Sequence, residues 1–164
     1  AVRAGLADFH GVGRRFEEVG QAAGIVVIDD YAHHPTEIEA TLAAARTVFA
    51  GRRLVAAFQP HLYTRTRDFA ERFGRALAAA DEVWVTDVYP AREEPIPGVT
   101  GELVAAAARQ ARHAAVHYAP TLSELEERLA GALRPGDACI FMGAGDIDGA
   151  ARAVLARLER EVGR

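Results

Sequence analysis

Two stretches of this chain couple an apolar run to a dense set of ionisable side chains. The first is Ile25-Val-Val-Ile-Asp-Asp-Tyr-Ala-His-His-Pro-Thr-Glu37. The second is Leu54-Val-Ala-Ala-Phe-Gln-Pro-His-Leu-Tyr-Thr-Arg-Thr-Arg-Asp68. Each reads as a short buried strand, a polar loop and then a helix. Ligands of open α/β sheets bind just beyond the carboxyl ends of the strands. Parallel neighbouring strands would therefore bring Asp30, Tyr31, His33, His61 and Arg65 to one sheet edge. Such a set receives an anion. A guanidinium fork beside helix N-terminal amides is a strong carboxylate or phosphate receptor. His61 adds a donor whose charge switches near neutrality. Adjacent side chains in extended backbone point opposite ways, so one of His33 and His34 is expected to face the site while the other packs or caps. Arg67 suits a solvated i,i+4 pair with Glu71 better than it suits the site. His and Asp are good ligands for Zn or Mn. Neither His33, His34 nor His61 belongs to a His-x-x-x-His spacing or has a cysteine partner to support that use, and no metal site is expected.

The bulk properties narrow the chemistry further. The 164 residues suggest one domain, with half of them apolar and a formal charge of −4. That balance exerts no general pull toward nucleic acid or an anionic membrane. All 19 basic residues are Arg. Without Lys there is no Schiff-base amine and no Walker A loop. The single cysteine, Cys139, sits in the apolar run Ala138-Cys-Ile-Phe-Met142 and reads as a buried thiol. No apolar run approaches the ~18 residues of a membrane span. The first ten residues lack the apolar core of a secretory signal, and a cytoplasmic location is expected. The chain does not begin with Met, so a piece of a larger protein is expected.

The elements that must position the ionisable residues follow from periodicity. Residues 1–13 read as a tail or interdomain linker, and 14–164 as the folded domain. Strands are predicted over Arg15–Val19 and Gly24–Ile28, joined through Gly20-Gln-Ala-Ala-Gly24 as a hairpin with a longer loop. Strands are predicted over Arg53–Phe58, Glu82–Asp87, Ala115–Tyr118 and Asp137–Met142. Helices are predicted from Pro35 to about Ala50, Thr66 to Ala80, Thr100 to Arg112, Thr121 to about Leu133, and Ile147 to Val162. Pro35 suits a first helical turn, where its missing N–H costs nothing. Thr121-Leu-Ser-Glu124 fits a capping box. The alternation argues for an α/β fold: a mostly parallel, Rossmann-like sheet with helices on both faces, preceded by a β-hairpin. Gly143-Ala-Gly145 reads as a tight strand-to-helix turn rather than a phosphate loop. Tyr89–Val99 carries three prolines, so it is stiff. Asp137 and Asp146 have no partner legible in the sequence.

Five segments in order carry a family resemblance: Gly11-Val-Gly-Arg-Arg-Phe-Glu17, Asp29-Asp-Tyr-Ala-His-His-Pro-Thr-Glu37, Phe58-Gln-Pro-His-Leu-Tyr-Thr-Arg-Thr-Arg-Asp68, Val88-Tyr-Pro-Ala-Arg-Glu93 and Gly143-Ala-Gly-Asp-Ile147. Together they resemble the C-terminal domain of the Mur ligases, the amino-acid-adding enzymes of bacterial peptidoglycan synthesis. The segment 58–68 is similar to the branch that adds L-alanine to UDP-N-acetylmuramate. It favours that branch over the murein tripeptide ligases of wall recycling, which share the Asp-x-x-His-His-Pro segment. A non-catalytic binding module with the same fold is the further alternative.

The resemblance implies an ATP-dependent ligase in which the muramyl carboxylate is activated as an acyl phosphate and then attacked by the alanine amine. It implies ATP with Mg2+, L-alanine and UDP-N-acetylmuramate as ligands of the full-length enzyme. The central and N-terminal domains of the same chain would be the partners. The fragment alone is expected to be inactive and to hold no tightly bound cofactor. Residue by residue, Arg15 resembles an arginine that reaches the ATP phosphates, and Asp30 the acid on the nucleotide ribose. Tyr31, His33, His61 and Arg65 resemble the lining of the amino-acid end. His33 and Arg65 stand closest to the chemistry, and Arg65 would bind the alanine carboxylate. Many members carry Arg where this chain has Leu62, so carboxylate binding is expected to lean on Arg65.

Overall fold

The computed structural model describes residues 13–111 and 115–163. The expected linker over residues 1–12 and the expected helix end at Arg112 lie outside them. Six strands form one sheet: β1 (Glu17–Ala22), β2 (Ile25–Asp30), β3 (Leu54–Phe58), β4 (Glu82–Val85), β5 (Val116–Tyr118) and β6 (Ala138–Met142). Among the described residues five helices accompany them: α1 (Pro35–Val48), α2 (Tyr63–Leu77), α3 (Gly101–Gln110), α4 (Leu122–Ala132) and α5 (Ile147–Val162). Strand order is β1-β2-β6-β3-β4-β5. Only the β1–β2 pair is antiparallel.

The sheet is buried from both sides, as its apolar strands require. Val26, Ile28, Ala56 and Phe58 face Ile38, Leu42, Phe73, Leu77 and Val104 of α1, α2 and α3. The alternate residues Val27, Val55, Ala57 and Phe141 face Leu125, Leu129, Val154 and Leu158 of α4 and α5. Cys139 is fully buried in this second layer, and burial pushes its thiol pKa far up.

Three expectations need correction. The β1–β2 hairpin has a two-residue loop, Ala23-Gly24, with both residues at positive φ. This is the tight turn whose twist matches paired strands. Gly20 belongs to β1, beside a bulge, and a Cβ there would come within 2.7 Å of a Leu155 methyl group of α5. Its glycine serves a close approach of α5 rather than a turn. Second, β2 and β3 are not neighbours. The last strand, β6, inserts between them and pairs with both in parallel. Third, α2 begins at Tyr63 rather than Thr66, which places Arg65 in its first turn.

At the opposite edge, Arg53 binds both Asp137 oxygens and reaches Glu82, tying three strand starts together. Asp137 thereby gains the partner that the sequence did not reveal.

Candidate functional site

Because β1 runs antiparallel to β2, its first residues lie at the carboxyl edge of the parallel strands. Arg14, Arg15 and Phe16 therefore meet the loops that leave β2, β3 and β6. Arg14 and Phe16 both have positive φ (58° and 50°), so the turn is tightly constrained. Asp30 organises it from below. Its Oδ2 accepts from Phe16 N at 2.8 Å, and its Oδ1 accepts from Ala32 N at 2.8 Å and from Thr41 Oγ1 at 3.3 Å. Asp30 is buried, and its carboxylate joins the arginine turn to the histidine loop.

The histidine loop divides its two imidazoles as extended backbone dictates. His34 packs edge-on against Phe69 of α2, with ring centroids 5.3 Å apart. His33 turns the other way, toward His61 at 5.9 Å and Tyr31 at 5.1 Å. Nδ1 of His33 lies 2.8 Å from Tyr31 O, and Glu37 Oε2 lies 3.4 Å from the same nitrogen. Glu37 also accepts the backbone N–H groups of His33 and His34. Burial alone would raise the Glu37 pKa. The two amides and His33 outweigh it and hold the carboxyl below its ordinary value.

The loop after β3 presents His61 and Arg65. His61 stacks on Tyr89 with ring planes 14° apart, and its backbone bridges to Tyr89. Burial, then the nearby Arg65 and His33, lower its pKa. Leu62, the residue before α2, sits at φ 72° and ψ 132°, a conformation that costs a non-glycine residue about 1–3 kcal/mol. Leu62 N donates to Tyr89 O, and Leu62 O accepts from Thr66 N and Thr66 Oγ1. The strain is thus held by contacts on both sides. Two polar atoms here, Nδ1 of His61 and Nη1 of Arg65, are buried with no hydrogen-bond partner among the described residues.

The interposed β6 would separate the two loops if it ended in side chains. It ends in Gly143-Ala-Gly145 instead. A Cβ on Gly145 would overlap Gln59 Oε1 and lie 2.6 Å from the Tyr89 ring. The glycine turn is thus where the β3 loop closes over β6, which is the tight-turn reading rather than a phosphate loop. Gln59 Nε2 donates to Asp146 Oδ1 at 2.8 Å, giving Asp146 its partner.

Arg14 ties this turn to the rest. Its Nη2 donates to Gly143 O at 2.7 Å, Nη1 to Gly145 O at 3.2 Å, and Nε to Asp29 Oδ2 at 3.2 Å. Asp29 is fully buried. Burial raises its pKa even with Arg14 beside it. Arg15 is exposed, with its guanidinium 5.9 Å from the Tyr31 ring centroid.

The structure therefore gathers Tyr31, His33 and His61 into one chain of ring contacts, with Arg15 over Tyr31 and Arg65 beside His61. Asp30 lies beneath. Arg67 points away and pairs with Asp68, not Glu71. No cluster of three or more metal-ligating side chains occurs among the described residues. Sequence reasoning passed over Arg14, Gln59 and Tyr89. The only signals were an Arg pair and a proline-rich loop. Nothing in one dimension separates the braced Arg14 from the exposed Arg15.

The Mur ligase glutamate ligase domain family matches residues 14–145. A UDP-N-acetylmuramate–L-alanine ligase from Salinibacter ruber is 52% identical over 162 residues, spanning 99% of this chain and 34% of that protein. The crystal structure of UDP-N-acetylmuramate–alanine ligase from Thermotoga maritima superposes with a TM-score of 0.77 at 31% identity, over 98% of this chain and 33% of that one. A murein peptide ligase from Psychrobacter arcticus gives 0.74 at 26% identity, over 95% and 32%. The chain spans about a third of the length of the relatives it matches. The family match over residues 14–145, the 52% identity and the superposition agree: the chain belongs to the Mur ligase family and carries that family's C-terminal domain.

Proposed function

We propose that this chain is the amino-acid-binding domain of an ATP-dependent ligase that joins L-alanine to UDP-N-acetylmuramate in the cytoplasm. The observation that carries the reading is the pair of buried, unpartnered nitrogens, His61 Nδ1 and Arg65 Nη1, at the edge where the ring contacts meet. Buried polar groups in folded proteins have partners. A small carboxylate would supply them, with the Arg65 fork taking the charge. The high identity of the Salinibacter ruber ligase supports alanine as the amino acid.

Within this reading, Tyr31 and His33 line the amine side and His61 the carboxylate side. The lowered His61 pKa keeps its ring neutral near pH 7 before ligand enters, which avoids packing a second cation against Arg65. Arg15 is exposed and, among the described residues, makes no ion-pair contact with a carboxylate, Glu37 acting on it only at longer range, so it is the group able to reach an ATP phosphate. Asp30 already holds three donors, so a ribose hydroxyl would share an oxygen with Ala32 N or Phe16 N. Mg2+ would ride on the phosphates and on groups of the other domains. ATP supplies an activated carboxyl, an acyl phosphate of UDP-N-acetylmuramate, for the alanine amine to attack. This chain contributes positioning.

The test is product formation by the full-length protein. UDP-N-acetylmuramate, Mg-ATP and L-alanine should yield UDP-N-acetylmuramyl-L-alanine by mass spectrometry, with alanine-dependent ADP release. Turnover of a free tripeptide in place of alanine would assign the chain to the murein peptide ligases. No ligation of either would leave a binding module.

A further inference from the structure

The proline-rich loop after β4 does more than leave the sheet. Glu93 comes back to the start of α2. Its Oε2 accepts from Thr64 N at 2.9 Å, and its Oε1 accepts from the Thr64 hydroxyl. The Tyr63 amide is directed at the same carboxylate. These bonds, with Arg65 nearby, hold the Glu93 carboxyl below its ordinary pKa. Helix α2 has no capping side chain of its own, because the residue at that position is Leu62. Glu93 supplies the missing cap from a different loop, and its charge complements the positive end of the helix.

The cap lies beside a strained residue. Leu62 is held in a left-handed conformation between two anchors. On one side, Leu62 N donates to Tyr89 O and Tyr89 N donates to Pro60 O. On the other, Glu93 grips Thr64. His61 precedes the strained residue and Arg65 follows the gripped one. A strained peptide persists only where its surroundings over-determine it. Release of either anchor frees Leu62 to relax, and the His61 and Arg65 nitrogens then no longer share one orientation.

We propose that Glu93 is a positioning residue of the amino-acid site, clasping the start of α2 so that His61 and Arg65 receive one carboxylate together. The proposal rests on the reading of that site given above. Glu93 itself touches no substrate.

The experiment uses the full-length ligase with Glu93→Gln, Thr64→Val and Arg65→Ala, and with the exposed neighbour Glu94→Gln as control. Glu93→Gln should raise the alanine KM about tenfold while the ATP KM and kcat stay within about twofold. Thr64→Val, which removes only the hydroxyl bond, should raise it about threefold. Adding Thr64→Val to Glu93→Gln should add little, since both act through one contact. Hydrogen exchange of the peptide covering residues 62–66 should accelerate in Glu93→Gln, and that of β4 should not. Glu94→Gln should match the parent. If Arg65→Ala raises the alanine KM but Glu93→Gln does not, the clasp is wrong and the site reading stands. If exchange accelerates in Glu93→Gln while neither variant affects alanine, the cap exists but the amino-acid site lies elsewhere, and the proposal falls with it. Equal loss of alanine and ATP kinetics in both Glu93→Gln and Thr64→Val would make Glu93 a stability residue and overturn the positioning role.

Discussion

Two side chains carry the proposed chemistry at the residue scale. Arg65 has a buried, unpartnered nitrogen, and a fork-to-carboxylate pair that loses one partner costs roughly 2–5 kcal/mol. In the full-length enzyme we predict that Arg65→Ala raises the alanine KM or lowers turnover by at least ~30-fold, at tenfold per ~1.4 kcal/mol. Arg65→Lys should recover only part, since an ammonium lacks the planar fork. Arg67→Ala should be mild, because Arg67 pairs with exposed Asp68 at the surface. Steady-state kinetics at varied alanine decides between them. If Arg67→Ala is the damaging change, the wrong arginine has been assigned. His61 makes a second prediction. Its pKa lies below the ordinary 6.5 because of burial and then the Arg65 guanidinium beside it. The unfolded chain then binds the proton more tightly than the folded one. Stability should be full above about pH 6.5 and fall as pH drops through the window below it. An imidazole NMR titration should place the His61 midpoint under 6.5, and glycine or alanine carboxylate should raise it. A free-state midpoint at or above 6.5 would remove the electrostatic account.

At the scale of elements, the site depends on strand order more than on any loop. β6 lies between the two strands that bear the ionisable residues, and its Gly143-Ala-Gly145 end lets the β3 loop close over it. Arg14 then ties β1, β2 and β6 together through Asp29, Gly143 and Gly145. Removing Arg14 leaves the fully buried Asp29 without its cation. We predict a loss on the order of 3 kcal/mol for Arg14→Ala. That corresponds to a Tm drop of roughly 6–12 °C in a domain of this size. Arg14→Ala combined with Asp29→Asn should recover part of it, since the orphaned charge is gone. Thermal melts followed by circular dichroism give the answer, and a drop of under about 2 °C for the single variant would show that solvent already serves Asp29. The caps at this scale also departed from the sequence pattern. The Thr121 oxygen accepts from Glu124 N, but the Glu124 carboxylate binds Arg128 instead of reaching back. Glu37 makes the reaching-back half at α1, where no Ser or Thr announced it.

At the scale of the whole molecule, the proposed function makes this chain one part of a shared site. The groups proposed to meet nucleotide are Arg15, which is exposed, and Asp30, which is already engaged. No Lys is present anywhere in its 164 residues. We predict that this chain alone forms no UDP-N-acetylmuramyl-alanine and binds ATP with a Kd on the order of 1 mM or weaker, about 4 kcal/mol. Calorimetry on the isolated chain tests this. Micromolar affinity would mean a complete nucleotide site resides here. No helix among the described residues is long and apolar enough to cross a membrane.

Much of this molecule was legible in one dimension because local patterns are enforced locally. Period-two and period-3.6 apolar runs gave every described strand and helix within a few residues, since each must bury one or both faces. That Tyr31, His33, His61 and Arg65 would share one sheet edge was legible because each lies on the segment leaving the carboxyl end of β2 or β3, where an α/β sheet exposes its ligand edge. The divergence of His33 from His34 followed from extended backbone alone. What the tertiary structure decided is everything carried by long-range pairing. Strand order places β6 between β2 and β3, and no local pattern encodes which parallel strand enters last. The choice of Arg14 as brace, with Arg15 left exposed, depends on carbonyls at Gly143 and Gly145, more than a hundred positions away in the chain. The cap on α2 comes from Glu93, on a loop that a sequence window around α2 does not contain. Backbone propensity and burial act over a few residues and can be read in order. Partner choice among charged groups is settled only when the sheet assembles and brings distant loops to one edge.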